Sequence, residues 1–432
     1  MTVHDTDEAT PKSPASDLVM GDRVAGRIYT DPDVFDEEIT KIFESTWIWV
    51  AHESELPKPG SFKSTHVGLQ PVIVTKNRKG QINTLLNRCR HRGASICEQK
   101  TGVANGFTCP YHAWSYSLDG QLRGIPYPEG YEGVIEKGEL SLKKLRTESY
   151  GGMVFATFAQ DIESLEDFLG DAKLWIDRFM KQGGGYPIKV LGTHRFRFNG
   201  NWKIQLENTT DGYHFPIVHR SWMASVDAET ADMMSFMTNP DAVTHDLGNG
   251  HSVMQMVPEH SDLDADDGSE PLQARFDDLV AELSAAGLDE PAIRKIVRAM
   301  HGTGFNLNLF PNVSMSAAFF RVLEPTAVDA TTIEHLAIGP DGPSEVVDPV
   351  NRARLRVHEH FQGPFGFGTP DDAEGWDRVQ RGAQGAPDMP ILVNRGAARE
   401  KPSAEGWPTS HVTDETGMRA AYTQWKEMMS ND

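Results

Sequence analysis

The chain has 432 residues, with 41 lysines and arginines against 62 aspartates and glutamates, which gives a formal net charge of −21. This length exceeds what one hydrophobic core organises, so we expect two domains. A charge this negative disfavours nucleic acid and anionic membrane as partners. No apolar run approaches the ~18–20 residues that cross a bilayer, and the N-terminal residues lack the apolar core of a signal peptide. With only three cysteines, we expect no disulfide framework and a cytoplasmic location.

The first half of the chain predicts a polar tail, one helix and then a β-rich segment. Asp31 and Pro32 suit the N-cap and first turn of a helix that continues to about residue 45. Strands are predicted over 71–75 and 81–86, joined by a turn, and over 150–158. Ser164 begins a capping-box pattern, which predicts a helix to about residue 181.

The second half mixes strands and helices. Strands are predicted over 190–198, 242–246, 251–257, 314–323 and 331–338, and helices over 201–219, 289–300 and 413–428, the last two capped by Asp289 and Thr413. Hairpins interleaved with helices favour an antiparallel sheet covered on one side by helices, an α+β fold. We therefore predict an N-terminal tail and helix that join the second domain (1–45), a β-rich domain (46–160) and a larger α+β domain (161–432).

Two short loops in the β-rich segment each offer one thiolate and one imidazole. Cys89 and His91 lie in the first loop, and Cys109 and His112 lie in the second, after seventeen intervening residues. A zinc finger usually places both cysteines in one loop and both histidines in the other. One Cys and one His from each loop instead suit a Rieske [2Fe–2S] cluster, with two thiolates on one iron and two imidazoles on the other. A structural zinc site is the alternative. We expect both loops to lie at the tips of hairpins.

A second set of candidate ligands follows the helix pattern at residue 201. His214 and His219 are two of the three ligands that a facial triad for non-haem Fe(II) needs. Five residues rotate an ideal helix by about 140°, so both imidazoles can share a site only where the helix ends or is distorted, and Pro216 is a candidate cause. Asp211 lies three residues before His214, within reach of its imidazole. Two buried polar histidines without a metal are the alternative.

The two motifs together resemble one family. The Cys89–Gly93 and Cys109–Trp114 loops, followed by Asn201-Trp202-Lys203, Glu207-Asn208, Asp211, Tyr213-His214 and His219, are similar to the Rieske non-haem iron oxygenases, in particular the large (α) subunit of aromatic ring-hydroxylating dioxygenases. The resemblance extends from about residue 29 to 428. It implies a β-rich Rieske domain followed by a catalytic domain of the helix-grip type.

The resemblance also implies the remaining site residues. The third iron ligand in the family is an aspartate that follows a Gly-Pro-x-Gly turn, which corresponds to Asp372 in this sequence, with Asp371 as the alternative. Asn208 corresponds to a residue close to the iron. The implied reaction is hydroxylation of an aromatic ring by O₂, as a cis-dihydroxylation or, in close relatives, a single hydroxylation.

Electrons for this reaction must come from outside the chain. No glycine-rich dinucleotide motif follows a predicted strand. We therefore expect a separate NAD(P)H-dependent reductase, acting directly or through a ferredoxin. The family implies a homotrimer or an assembly with a small β subunit, in which Asp211 contacts both its own His214 and the His112 of a neighbouring chain.

The substrate pocket is the least constrained part of the sequence. Apolar candidates for its wall are Met254, Phe305, Phe319 and Phe365, each of which also suits an ordinary core. Arg321 is predicted on a strand that places Phe319 and Met315 on the same face, where its guanidinium could bind a substrate carboxylate. An arginine satisfied by local acids is the alternative. We favour an aromatic carboxylate slightly over a neutral hydrocarbon.

Two other classes of protein remain as alternatives. An electron-transfer protein would keep the Rieske cluster beside a metal-free second domain, and a ligand-binding module would use zinc only for stability. Iron content and visible absorption separate both from an oxygenase, because zinc is colourless and a Rieske cluster is coloured.

Overall fold

A computed structural model describes residues 15–227, 230–231, 234–264, 272, 274–300, 302–363 and 366–430. The predicted tail lies mostly outside these residues. A seven-stranded antiparallel sheet, which we call the N-terminal sheet, has the spatial order Ile48–His52, Met153–Thr157, Lys144–Tyr150, Ile82–Leu86, Gln70–Lys76, Ser61–Val67 and Thr101–Val103. A three-stranded sheet lies beside it, made of Phe107–Thr108, Ser115–Tyr116 and Leu122–Gly124.

The second half of the chain is built on a nine-stranded antiparallel sheet, which we call the large sheet. Its spatial order is Ile188–Phe198, Ala330–Pro340, Phe319–Ala327, Val313–Ser316, Phe305–Leu309, His251–Gln255, Val243–Gly248, Pro408–His411 and Lys401–Pro402. One face packs Leu307, Phe320 and Leu336 into a core with Trp175 and Phe179. The alternation of the strands leaves the other face for polar and cavity-lining side chains.

Helices pack on both faces of the large sheet, so the prediction of helices on one side only is wrong. Ala172–Met180 packs on the core face, and Trp202–Thr209 lies against the opposite face, where the Asn308 side chain donates to the Thr209 carbonyl. The α-helices of the described residues are Pro32–Glu38, Leu165–Leu169, Ala172–Met180, Trp202–Thr209, Phe215–Val218, Arg220–Met223, Asp277–Ala285, Glu290–Ala299, Ser344–Phe361, Gly368–Gly385 and Thr416–Ser430. The long helix Ser344–Phe361 packs along the strand Ala330–Pro340, and the Asn351 side chain donates to the Pro340 carbonyl at 3.1 Å. These observations confirm the predicted α+β fold with a β-rich N-terminal part.

The first residues of the described chain pack onto its C-terminal half. The strand Arg23–Ala25 pairs with Pro390–Leu392. The Asp31 side chain caps the following helix by accepting from the Asp33 amide, as the sequence predicts. At the end of that helix, the fully buried Glu38 carboxylate binds the Lys203 ammonium at 2.5 Å and the Trp425 indole at 2.7 Å. The division of the chain at residues 45 and 160 stays a prediction.

Two predicted elements of the first half are interrupted by glycines. The strand predicted over 150–158 is wrong at its start, because Gly151 and Gly152, both with positive φ, turn the chain between Lys144–Tyr150 and Met153–Thr157. The helix predicted from Ser164 does start there, with Ser164 accepting from the Asp167 amide. It stops at Gly170, whose φ of +47° ends a helix, and a second helix follows.

Three predicted elements of the second half also differ from the structure. The helix predicted over 201–219 ends at Thr209 and two one-turn helices follow it. The strand predicted over 314–323 is a hairpin that turns at Ala317, which has a φ of +43°. The last helix begins at Thr416 rather than after Thr413, because the buried Asp414 before it is held by Arg399. The Asp289 cap and the hairpin around residues 248–250 are confirmed.

Candidate metal centres and substrate cavity

The two Cys/His loops share one backbone geometry. In the first, the Cys89 amide donates to the Ala94 carbonyl at 2.8 Å and the Gly93 amide donates back to Cys89 at 2.9 Å. In the second, Cys109 makes the equivalent pair of bonds with Trp114 and Ala113. Gly93 and Ala113 both have positive φ, so each turn closes in the left-handed region. Two similar turns therefore present one thiol and one imidazole each.

Only one of the two loops is a hairpin tip. The Cys109 loop joins Phe107–Thr108 to Ser115–Tyr116, which pair with each other. The Cys89 loop lies between Ile82–Leu86 and Thr101–Val103, which are not neighbours in the sheet. The prediction of two hairpin tips is wrong for the first loop, because its approach to the second depends on tertiary packing.

The two loops bring their imidazoles together at the protein surface, above two buried thiols. Cys89 and Cys109 are 3% and 2% exposed, whereas His112 is exposed and His91 is half-buried. The two Nδ1 atoms of His91 and His112 lie 3.1 Å apart. Two buried thiols beside two outward imidazoles fit a [2Fe–2S] cluster with its histidine-bound iron toward solvent.

Three aromatic residues lie against the two loops, of which Tyr116 and Tyr131 were not predicted from the sequence. The Tyr116 hydroxyl lies 3.3 Å from the Cys89 sulfur and accepts from the Arg90 amide at 3.1 Å. Trp114 stacks on the His91 ring, with centroids 5.0 Å apart. The Tyr131 hydroxyl lies 3.2 Å from His91 Nε2. Trp114 is the last residue of the second loop and Tyr116 lies two residues beyond it, whereas the distant Tyr131 gives no local signal.

The second candidate centre forms where the helix Trp202–Thr209 ends. Gly212 lies against the Val412 carbonyl, where a Cβ would come within 2.6 Å, so the chain can pass this point closely only with glycine. His214 immediately precedes the one-turn helix Phe215–Val218, and His219 immediately follows it. Pro216 lies in the first turn of that helix, where its missing amide is harmless, and is therefore not the cause of the break.

His214, His219 and Asp372 each bring one ligand atom into a group within 4.8 Å. Asp372 Oδ1 lies 3.1 Å from His219 Nε2 and 3.5 Å from His214 Nε2. The Asn208 amide nitrogen is 3.2 Å from both Asp372 Oδ1 and His214 Nε2. Two nitrogens and one carboxylate oxygen on a common point are the donor set of a facial triad, so these residues fit a mononuclear iron.

The alternative ligand Asp371 faces away from this group. Its side chain is partly exposed and accepts from the Ser221 hydroxyl at 3.4 Å. Asp372 is 5% exposed and His219 is 1% exposed. Successive residues of a helix point in different directions, so only Asp372 reaches the two imidazoles.

Two carboxylates lie next to the His214 imidazole and make its surroundings negative. The Asp211 carboxylate lies 3.4 Å from His214 Nδ1 and accepts from the His214 amide at 3.3 Å. Burial lowers the pKa of His214, but Asp211 and Asp372 outweigh it and raise that pKa to about 9. Burial raises the pKa of Asp372, yet bonds from both imidazoles hold it below its usual range. A cation at this point is therefore well compensated.

A cavity of about 550 Å³ opens beside the triad. Of the predicted wall residues, Met254, Phe305, Phe319 and Arg321 line it, while Phe365 lies outside the described residues. Phe215, Trp222 and Phe361, which the sequence did not single out, form an aromatic group next to His219. The cavity is therefore largely apolar near the iron ligands, as an aromatic ring requires.

Arg321 lies inside the protein with neutral partners. Met315 pairs with Phe320 across the strands, so Phe319 shares the face of Arg321 and Met315 does not, contrary to the prediction. Among the described residues Arg321 forms no ion pair. Its Nε donates to His335 Nε2 at 2.9 Å and its Nη2 donates to Gln362 Oε1 at 3.2 Å. Burial lowers its pKa to about 10, against the attraction of the Asp372 carboxylate.

Comparison with known proteins identifies the family. Residues 46–145 match the Rieske [2Fe-2S] domain, and residues 187–431 match the ring hydroxylating alpha subunit (catalytic domain). The chain belongs to the ring-hydroxylating oxygenase α subunits. It is 33% identical to the anthranilate 1,2-dioxygenase large subunit of Acinetobacter baylyi, over 87% of this chain and 80% of that protein.

Other relatives agree with this assignment. The toluate 1,2-dioxygenase subunit alpha of Pseudomonas putida is 33% identical, over 84% of this chain and 79% of that protein. The structure of naphthalene 1,2-dioxygenase with indole in its active site superposes with a TM-score of 0.79 at 26% identity, covering 96% of this chain and 94% of that one.

Family membership confirms the main expectations drawn from the sequence. This oxygenase α subunit carries a [2Fe–2S] cluster and a mononuclear iron, and it uses O₂ to hydroxylate an aromatic ring. Among the residues that the structure describes, no helix combines the length and apolar character needed to cross a bilayer.

Proposed function

We propose that this oxygenase α subunit dihydroxylates the ring of an aromatic carboxylate, and that Arg321 binds the carboxylate. The observation that carries the proposal is a buried, cavity-lining guanidinium without an ion pair among the described residues. Burying such a charge is costly unless an anion compensates it, and a planar carboxylate matches its donors. Two of the relatives, the anthranilate and toluate dioxygenases, are named for aromatic acids.

The proposal assigns the metal ligands as the sequence predicted. Cys89, Cys109, His91 and His112 would hold the cluster, which supplies electrons one at a time. His214, His219 and Asp372 would hold the iron, which binds O₂. The support is the contact between the His91 and His112 imidazoles beside two buried thiols, and the grouping of the three ligand atoms of His214, His219 and Asp372. The roles of the remaining polar residues depend on this assignment.

Asn208 and Asp211 would act on the iron site without being ligands. The Asn208 amide contacts both Asp372 and His214, which suits a residue that orients them. Asp211 contacts His214 from outside the triad and is partly exposed, so it can reach a neighbouring chain. We propose that Asp211 connects His214 to the His112 of the neighbour in a homotrimer, with or without a small β subunit.

The remaining parts of the proposal concern the setting of the enzyme. Electrons would come from a separate NAD(P)H-dependent reductase, directly or through a ferredoxin. With Cys89 and Cys109 assigned to the cluster, Cys97 is left without a disulfide partner, which supports a reducing, cytoplasmic compartment. The domain bounds 1–45, 46–160 and 161–432 are supported by the strands at 48–157 and 188–411, which belong to separate sheets.

The experiment compares acids with hydrocarbons on the reconstituted enzyme. Purified protein with a surrogate reductase and NADH is supplied with ¹⁸O₂ and either benzoate, 2-aminobenzoate and 2-hydroxybenzoate, or naphthalene and biphenyl. We expect a dihydrodiol with two labelled oxygens from an acid. One labelled oxygen would favour monohydroxylation, and turnover of hydrocarbons alone would contradict the carboxylate.

A matched pair of arginine variants tests the role of Arg321. Arg321→Gln should lower kcat/KM for acids by about 10- to 100-fold, as expected for loss of a hydrogen bond to a charged group. Arg352 also lines the cavity, but it is exposed and already paired with Glu282 at 2.7 Å. Arg352→Gln should change kcat/KM little. Equal effects of the two substitutions would contradict the proposal.

A further inference from the structure

A continuous row of polar side chains crosses the cavity face of the large sheet. Cross-strand pairing joins Asn308 to Ser314, Ser314 to Arg321, Arg321 to His335, and His335 to His194. Residues paired in this way lie on the same face of neighbouring strands. Arg321 is therefore the cation of this row, and the other members are neutral.

The hydrogen bonds of Arg321 show that both of its acceptors are neutral. A guanidinium nitrogen only donates, so His335 Nε2 must accept and therefore carries no proton. The other acceptor is the amide oxygen of Gln362, which also accepts from the Thr369 hydroxyl at 3.0 Å. No hydrogen bond from Arg321 Nη1 is present among the described residues, although Nη1 is not buried away from the cavity. Arg321 thus keeps its charge, and its Nη1 remains without a hydrogen-bond partner among the described residues.

Other buried cations of this chain are compensated differently. Lys203 binds the Glu38 carboxylate at 2.5 Å, and Lys63 binds Glu55 at 2.9 Å. Arg354, which lines the same cavity, donates to backbone carbonyls at 2.6 and 2.9 Å. A carboxylate partner for Arg321 would be the ordinary solution. The row supplies imidazole and amide in its place, directly beside the iron cavity.

A second positive charge in the row is also disfavoured. His194 and His335 lie with ring centroids 5.0 Å apart, and His358 lies 5.4 Å from His194. Burial lowers the pKa of all three imidazoles, and for His335 the charge of Arg321 adds to the effect. The row therefore holds one cation, and a second positive charge on its imidazoles is disfavoured.

We propose that His335 and Gln362 are positioning residues that fix Arg321 through neutral acceptors, so that no carboxylate is bonded to its guanidinium until an aromatic carboxylate binds. This inference rests on the function proposed above. It assigns selectivity for anionic over neutral substrates to two residues that have no need to touch the substrate. A carboxylate at either position would compensate Arg321 internally and remove that selectivity.

The test compares charge-adding with charge-neutral substitutions on the holoenzyme. Gln362→Glu and His335→Glu each place a carboxylate against the guanidinium, while His335→Gln keeps a neutral acceptor. Calorimetry gives the Kd of benzoate and of its neutral analogue benzamide. We expect the Glu variants to weaken benzoate about 10- to 100-fold and to change benzamide by less than about threefold. His335→Gln should bind both probes nearly as the unsubstituted protein does.

The possible outcomes separate the positioning role of His335 and Gln362 from the proposed function. Unchanged benzoate binding in the Glu variants, or equal weakening of both probes, would overturn the positioning role and leave the proposed function standing. Failure of the unsubstituted protein to bind benzoate would instead count against the aromatic carboxylate, and this inference would fall with it. Visible absorption and melting temperature report folding, and if His335→Glu does not fold, Gln362→Glu alone decides.

Discussion

Replacing Asp372 with asparagine should remove the mononuclear iron and leave the cluster in place. The carboxylate oxygen that lies 3.1 Å from His219 and 3.5 Å from His214 becomes a neutral amide. Removing merely the outer hydrogen-bond partner of a metal ligand already weakens metal binding about 10- to 100-fold, so loss of a ligand should cost more than about 100-fold. Iron content should fall from about three atoms per chain to about two.

Asp371→Asn is the matched control for this prediction. Asp371 is its neighbour in the same helix, but it is partly exposed and contacts Ser221 rather than the imidazoles. Iron content by mass spectrometry and the visible and paramagnetic resonance signals of the cluster are measured for both variants. Loss of iron in Asp371→Asn with retention in Asp372→Asn would refute the assignment. Loss of the cluster signal in Asp372→Asn would show that the two centres are not independent.

Three further predictions concern charged or titratable side chains. Asp211→Asn should keep both metals but abolish product formation, and near-normal turnover with both metals present would contradict its bridging role. Glu38→Leu leaves the Lys203 ammonium buried without its partner, so unfolding in denaturant should show a loss of about 3–5 kcal/mol, part of which Lys203→Met restores in the double variant. Burial raises the pKa of Glu207 from 4.5 to about 7. Between pH 4.5 and about 7 the folded chain therefore retains a proton that the unfolded chain releases. The free energy of unfolding should fall by about 3 kcal/mol as pH rises through this range. Glu207→Gln should abolish this loss.

Much of the fold follows from local patterns that the structure preserves. The Asp31 and Asp289 caps and the hairpin around residues 248–250 depend on neighbours within a few residues. Errors occurred where a single residue changes the chain direction inside an apolar pattern. Ala317 is an example, since a positive φ at an alanine has no clear sequence signal and reverses the predicted strand.

The sequence by itself identified most of the candidate ligands of both metal centres. The Cys89 and Cys109 loops and the His214–His219 pair are local motifs, which can be recognised from their ligand types and spacing. Asp372 could be predicted only through the family resemblance. It lies 153 positions beyond His219, and it is one of two adjacent aspartates.

Only the tertiary structure decided how these residues act together. Burial and helix direction select Asp372 over Asp371, since only one of two successive helical residues can face the imidazoles. The partners of Arg321 come from a neighbouring strand and from the end of the Ser344–Phe361 helix. Strand register and helix packing set these contacts, and both depend on residues far apart in the chain.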